Sequence, residues 1–297
     1  MPTKRFIVIV NPRGGTRRGP VVLDEVKPIF AEVDAALDVR LTTHAGHASQ
    51  LAQTLDLNDC DGLCVVGGDG TIHEVIAGLM KRDVRSSVPL GLIPAGTGNA
   101  VCEHLRCPNP REAAQRIVGG ATRALDVARA QTGDQVAYCV NIIGWGAAVD
   151  INRTAERLRW MGPPRYATSA IAHILRPKPR RARVVLDEQV LEDEFRLIVA
   201  CNTKFTGKGM QLAPQAEMDD GKLDVVVVRR ATRWQMLKMF TKVFDGSHLA
   251  LPFVEYYQVR TFGIEPEHED CLNLDGEVKV AGAVSAEMMP AELRVFV

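Results

Sequence analysis

At 297 residues, with 46% hydrophobic and 24% charged residues, the sequence has the composition of an ordinary globular protein and the length for two domains. Lys plus Arg and Asp plus Glu both total 36, so the formal net charge is zero, which argues against a dedicated nucleic-acid binder. No apolar run approaches the ~20 residues of a membrane span. The seven cysteines are scattered without a CxxC pair, and His73-Glu74 opens no HExxH because residue 77 is Ala, so reduced thiols in a cytoplasmic protein without a zinc site are expected.

The first third alternates strand and helix signals. Arg5 to Val10 is a short apolar strand that runs into Asn-Pro-Arg-Gly-Gly at 11–15; with no small-residue cleavage site after it, it does not read as a signal peptide. Helical spacing follows over 21–30, interrupted at Pro28. A second strand is expected over 36–41, a helix over 48–55, a third strand over 62–66 and a helix over 72–80. A fourth strand, 88–93, leads into Pro-Ala-Gly-Thr-Gly-Asn at 94–99 and a helix over 100–105. Continuous apolar strands alternating with amphipathic helices predict an α/β domain on a parallel sheet covered on both faces. From residue 123 β-branched and apolar runs dominate, at 123–130, 136–143, 182–186, 195–201, 223–229 and 257–262, with one clear helix at 233–244. They predict a second domain, an antiparallel β-sandwich over 123–289, after a first domain over 1–122. The closing run, 290–297, is open to either.

In a parallel sheet the loops that follow the strands share one edge, where ligands of open α/β sheets bind. Residues 11–15, 42–46, 67–71 and 94–99 therefore converge. The Walker pattern is absent, and GxGxxG fails because His73 stands where its third glycine belongs. Glycine after a strand still lets backbone N–H groups approach a phosphate, and the next helix offers its positive end. Thr71 with Glu74 fits the T-x-x-E capping box, which starts the helix just after the turn. Asp69, among the glycines, has two readings: an Asx turn that needs no ligand, or a carboxylate separated from phosphates by Mg2+.

Gly67-Gly68-Asp69-Gly70-Thr71 resembles the signature loop of the superfamily that contains diacylglycerol kinases, sphingosine kinases, NAD kinases and phosphofructokinases. With NPRGG at 11–15, PAGTGN at 94–99 and NLDGE at 273–277, in that order and spacing, nearly the whole chain resembles the diacylglycerol-kinase catalytic family, including its bacterial soluble lipid kinases. The resemblance implies an NAD kinase/phosphofructokinase-like α/β domain, a β-sandwich that receives lipid, and ATP with Mg2+ in the cleft between them. It implies an ATP site lined by Asn11, Thr42, Gly67, Gly68, Asp69, Gly70, Thr71, His73, Glu74, Gly96, Thr97 and Asn99, with Asp69 tied to the phosphates through metal and water. In AEMDDGKLDV, 216–225, it implies a structural Mg2+ held by the Asp220 side chain and by carbonyls near Glu217 and Lys222; a plain Asp-Gly turn explains Asp220 and Gly221 equally well. Asp275 and Glu277 match the acidic pair beside the acceptor hydroxyl, one of which takes its proton.

Two positions depart from the pattern. Asn99-Ala100 replaces the Asn-Asp of many bacterial members and is closer to the sphingosine-kinase form, which leaves the acceptor lipid open. His73 stands where asparagine is frequent. The implied activity is ATP-dependent phosphorylation of a lipid hydroxyl, on diacylglycerol or a sphingoid base, by a cytoplasmic enzyme that meets its substrate at the inner face of a membrane. Residues 152–183 carry nine Lys or Arg against one acid, Glu156, interleaved with Trp160, Met161, Tyr166 and Ile171; this is a solvated face or a docking segment for anionic lipid. Helix 233–244 reads as core packing before it reads as a lipid entrance, and the strand edges of the second domain permit a homodimer. The rival readings are an NAD kinase, opposed by NLDGE and PAGTGN, and a non-enzymatic nucleotide-binding lipid sensor, opposed by Asp69, Asp275 and Glu277.

Overall fold

The computed structural model describes residues 4–15, 17–84, 87–162, 164–176, 178, 180–207 and 209–297. The chain divides into two compact units, Met1–Asp126 with Pro290–Val297, and Val127–Met289.

In the first unit, β1 (Arg5–Val10) leads to α1 (Gly19–Ala31), β2 (Ala36–Leu41), α2 (His47–Thr54), β3 (Gly62–Gly67), α3 (Asp69–Met80) and β4 (Leu90–Pro94). Helices α4 (Ala100–His104) and α5 (Pro110–Gly119) follow. Strands β4, β3, β1 and β2 lie side by side in that order and all run parallel. β1, β3 and β4 are buried almost throughout, so their sequences carry no polar alternation, as expected for strands covered on both faces. The chain returns at its end: Val295 pairs in parallel with Leu90, Val297 N–H donates to the Ala121 carbonyl, and Phe296 packs edge-on against Phe6. Pro28 does not interrupt α1, which runs through it to Ala31.

The second unit begins within β5 (Thr122–Thr132), which forms a hairpin with β6 (Gln135–Cys139), followed by β7 (Ile142–Gly146). Two helices, α6 (Ala147–Arg157) and α7 (Arg165–Leu175), precede β8 (Arg180–Leu186), β9 (Gln189–Cys201) and β10 (Leu223–Arg229). Then come α8 (Arg233–Lys242), β11 (Val254–Val259), β12 (Thr261–Pro266), β13 (Asp270–Leu274), β14 (Glu277–Ala281) and β15 (Val284–Phe296). The strand pairings among β7 to β14 are antiparallel. β9 organises them: its first half pairs with β8, and its second half lies between β7 and β10. Alternate residues serve two cores. Ile198 and Ala200 join Trp145, Phe195 and Phe262 inside the sandwich, whereas Leu197, Val199 and Cys201 pack outward against Ile174 of α7 and Met236 and Met239 of α8. The sequence pattern missed α6, whose buried stripe includes the polar Asn152, and α7, whose exposed residues include no ionisable side chain. It also ran β6 into β7, and β11 into β12, where the strands break only at Val140-Asn141 and at Arg260. Among the described residues no helix is long and apolar enough to cross a membrane.

Helices α2 and α3 meet where α3 carries glycine: a Cβ on Gly78 would lie 2.2 Å from the Ser49 carbonyl oxygen. Gly to Ala inside a helix ordinarily stabilises by ~1 kcal/mol. Here overpacking reverses the sign, and Gly78→Ala is expected to lose about 1–3 kcal/mol; urea denaturation measures it.

Candidate active site

The loops at the carboxyl edge of the parallel sheet are bonded to one another. The Asn11 N–H donates to the Val66 carbonyl, and the Thr42 N–H to the Val10 carbonyl. Asn11 Nδ2 donates to Thr71 Oγ1 at 3.0 Å, and Arg13 Nη1 to the Thr43 carbonyl at 3.1 Å. The two glycine loops touch through bare backbone. A Cβ on Gly96 would stand 2.5 Å from Gly68 Cα, and one on Gly67 would stand 2.6 Å from Thr71 Cβ. Asn99, at φ +55°, closes its loop by accepting from the Gly96 N–H and donating to the Gly96 carbonyl, both at 3.0 Å. Gly15 places its backbone beside Gly96 and Thr97. Gly70 differs from these glycines, since nothing lies within 4 Å of where its Cβ would be. It sits in the first turn of α3, which has no side-chain cap. An uncapped helix start with open space at glycine suits a phosphate.

The Asp69 carboxylate bonds to backbone distant in sequence. Its Oδ2 accepts from the Ala100 N–H at 3.0 Å and its Oδ1 from the Val101 N–H at 3.3 Å. The anion therefore sits on the positive end of α4 and ties the 67–71 loop to the 94–99 loop. The expected capping box does not form. Helix α3 starts at Asp69, so Thr71 is already inside its first turn and bonded to Asn11. Glu74 reaches away from its own helix, its Oε2 accepting from the Ala48 N–H at 3.2 Å in the first turn of α2. His73 is buried on α3.

In the second unit the turn 273–277 joins β13 to β14. Asp275 adopts φ +51° and is 9% exposed. Its Oδ2 accepts from the Val140 N–H at 2.7 Å, and its Oδ1 from the Asn141 and Ile142 N–H groups at 2.9 and 2.8 Å. Asn273 Oδ1 accepts from the Gly276 N–H at 2.7 Å, and Asn152 Nδ2 of α6 donates to the Gly276 carbonyl at 2.8 Å. Asn273 was visible within NLDGE, but nothing in the sequence singled out Asn152 or the backbone of 140–142. Glu277 leaves the turn with a side chain 54% exposed; Lys279 Nζ lies 4.0 Å away.

The 216–225 loop forms the plain turn: Asp220 Oδ1 accepts from the Lys222 N–H at 3.0 Å, with Gly221 at φ +72°. Glu217 pairs through Oε1 with Lys204 Nζ at 2.7 Å. Beneath the loop, Asp224 is fully buried. Its Oδ1 accepts from Tyr256 at 2.6 Å and Gln258 at 3.0 Å, while its Oδ2 has no hydrogen-bond partner. Burial holds the Asp224 carboxyl above the usual carboxylate range, and the nearby Asp220 charge adds to this. Among the described residues no three His, Cys, Asp or Glu side chains gather as a metal site. A set of one carboxylate and two carbonyls is an all-oxygen set, which suits a hard cation such as Mg2+.

Two family models match the chain. The diacylglycerol kinase catalytic domain covers residues 5–130, and the YegS C-terminal NAD kinase beta sandwich-like domain covers 141–297. The chain belongs to the diacylglycerol kinase family. The kinase is 27% identical to a sphingosine kinase 1 of Arabidopsis thaliana, over 95% of this chain and 70% of the relative. It is 32% identical to a diacylglycerol kinase of Mycobacterium tuberculosis, over 80% of this chain and 76% of the relative. A crystal structure of a diacylglycerol kinase from Bacillus anthracis shares the fold, with a TM-score of 0.76 at 23% identity over 100% of this chain and 97% of that one.

Removing the Asp275 carboxylate would strand three backbone N–H groups in the interior. Asp275→Ala is expected to cost about 3 kcal/mol or more of stability. Chemical denaturation beside Glu277→Ala, which should unfold like the parent, tests the contrast.

Proposed function

We propose that this kinase transfers the γ-phosphoryl group of ATP to the hydroxyl of a membrane lipid, such as a diacylglycerol or a sphingoid base, and that it works with Mg2+. The observation that best supports the reading is the division of labour in the 273–277 turn. Asp275 is occupied by three backbone donors, whereas Glu277 stands exposed on the strand that Asp275 anchors. A protein that only senses lipid has no use for a proton acceptor held in this way.

Phosphoryl transfer asks mainly for alignment and charge compensation. The first-turn N–H groups of α3 would bind phosphate oxygens beside Gly70. Asp69 would keep the 94–99 loop and the start of α4 in place beneath the nucleotide. Mg2+, bound with the nucleotide, would supply charge compensation on the β- and γ-phosphates. Glu277 would orient the acceptor hydroxyl and take its proton as the new O–P bond forms and ADP leaves. The reading requires Glu277 of the second unit to serve the nucleotide carried by the first. Asp220, with the carbonyls of Glu217 and Lys222, would hold the structural cation.

Incubation with Mg-ATP and a panel of lipids, NAD and sugar phosphates should yield a phosphorylated lipid. ATP binding without any product would overturn the reading. Glu277→Gln should lower kcat by roughly 10²- to 10⁴-fold while ATP binding persists. Asp69→Asn keeps one acceptor oxygen for α4, sets its amide NH2 against the other N–H group and removes the charge. It should stay folded with a loss of about 1–3 kcal/mol of stability and lose turnover; parental turnover would reduce Asp69 to its role in joining the loops.

A further inference from the structure

Helix α7 is exposed on a face where surface helices ordinarily carry charge. Its exposed residues are Ala167, Thr168, Ile171, Ala172 and Leu175, none of them ionisable. Ile171 and Leu175, one turn apart, are 42% and 53% exposed. The opposite face, with Ser169, Ala170 and Ile174, is buried, so α7 is apolar on both sides. Trp160, just before it, is 81% exposed. An apolar face of this kind on a surface helix marks a partner, and tryptophan beside it suits the boundary between water and hydrocarbon.

The charges at the end of the helix indicate which partner. Several arginines of the basic segment are already answered: Arg180 bridges Asp150 and Asp270, Arg165 pairs with Glu156, and Arg183 pairs with Glu192 and Glu265. Residues 163, 177 and 179 of that segment lie outside the described residues. Among the described residues no acid pairs with Arg176 or Lys178, which follow α7 directly and are exposed. Both line a notch with His173, Asp150, Arg196 and Ile174. Asp150 is neutralised there by the two bonds from Arg180 Nη2, at 3.0 and 2.9 Å. Arg196 donates through Nε to the Ala231 carbonyl, but its Nη1 is buried without a hydrogen-bond partner. The notch thus presents unanswered positive charge at the carboxyl end of an apolar helix face.

The geometry points to α7 as the surface by which this kinase sits on an anionic phospholipid bilayer, its Ile171 and Leu175 face in the hydrocarbon boundary and the Arg176, Lys178 and Arg196 notch on a headgroup phosphate. The inference rests on the proposal that the acceptor is a membrane lipid, and it names the surface that brings the enzyme to it.

The test is co-sedimentation of the full chain with phosphatidylcholine vesicles, with and without about a third phosphatidylglycerol, at low and high salt. The parent should bind the anionic vesicles and release as salt rises. Arg176→Gln with Lys178→Gln should weaken binding about 25-fold at low salt, from roughly fivefold per charge. Ile171→Glu with Leu175→Glu should weaken it by about tenfold or more at either salt. Both variants should melt like the parent and turn over a short-chain, water-soluble acceptor at the parental rate, while losing turnover of vesicle-borne acceptor. Variants that bind vesicles like the parent, or a parent indifferent to anionic lipid, would overturn the inference. So would a dimer in sedimentation that Ile171→Glu with Leu175→Glu dissolves without any vesicle binding, since a second copy would then cover the helix. Absence of turnover on the soluble acceptor would instead count against the proposed reaction, because vesicle binding is read without it.

Discussion

The contact between Gly68 and Gly96 sets the terms for the loop edge of the first unit. Two strand-to-helix loops approach until their backbones touch, and only residues without a Cβ allow it. That approach puts Asp69 within reach of the first N–H groups of α4, where its charge is stabilised by the helix end. Asn11 and Asn99 then lock the loops from either side, one to Thr71 and one to Gly96. The edge is consequently a bonded assembly of four loops, with open space at Gly70. A bonded assembly of this kind is preorganised, which is the condition for effective electrostatic catalysis.

The second unit relies on a different constraint. β9 has core on both of its faces, so a slip of one residue would exchange Ile198 and Ala200 with Leu197 and Val199. The register that this enforces carries through β7 to β13, and so to the turn that Asp275 fastens to residues 140–142. Glu277 is exposed, but its place is set by buried strands and by the left-handed turn at Asp275.

The fold was legible where burial leaves a simple trace. Continuous apolar runs announced β1, β3 and β4, and β-branched runs announced β9 and β10, because strands buried on both faces admit little else. The loops of the candidate site were legible as motifs, but their bonding was not. Asp69 binds residues 31 and 32 positions away, Glu74 a residue 26 positions away, and Asp275 residues more than 130 positions away. Periodicity cannot show such partners, and the local rules that seemed to apply, an Asx turn and a capping box, were outcompeted by them. Helix α7 escaped for a related reason, since it shows water an apolar face, and α6 because its inward positions include Asn152, which bonds the turn, where an apolar residue would have marked the buried stripe.

The return of the chain end has a consequence for synthesis. The first unit holds the sheet edge and the glycine loops, yet its β4 is paired at Val295, its Phe6 is packed by Phe296, and Ala121 is bonded to Val297. A ribosome delivers those partners only after the whole second unit has been made. The first unit is therefore begun before the second and finished after it, and in the interval Leu90 and Phe6 present apolar surface for which the covering residues do not yet exist. The order of the message thus couples completion of the first unit to synthesis of the second.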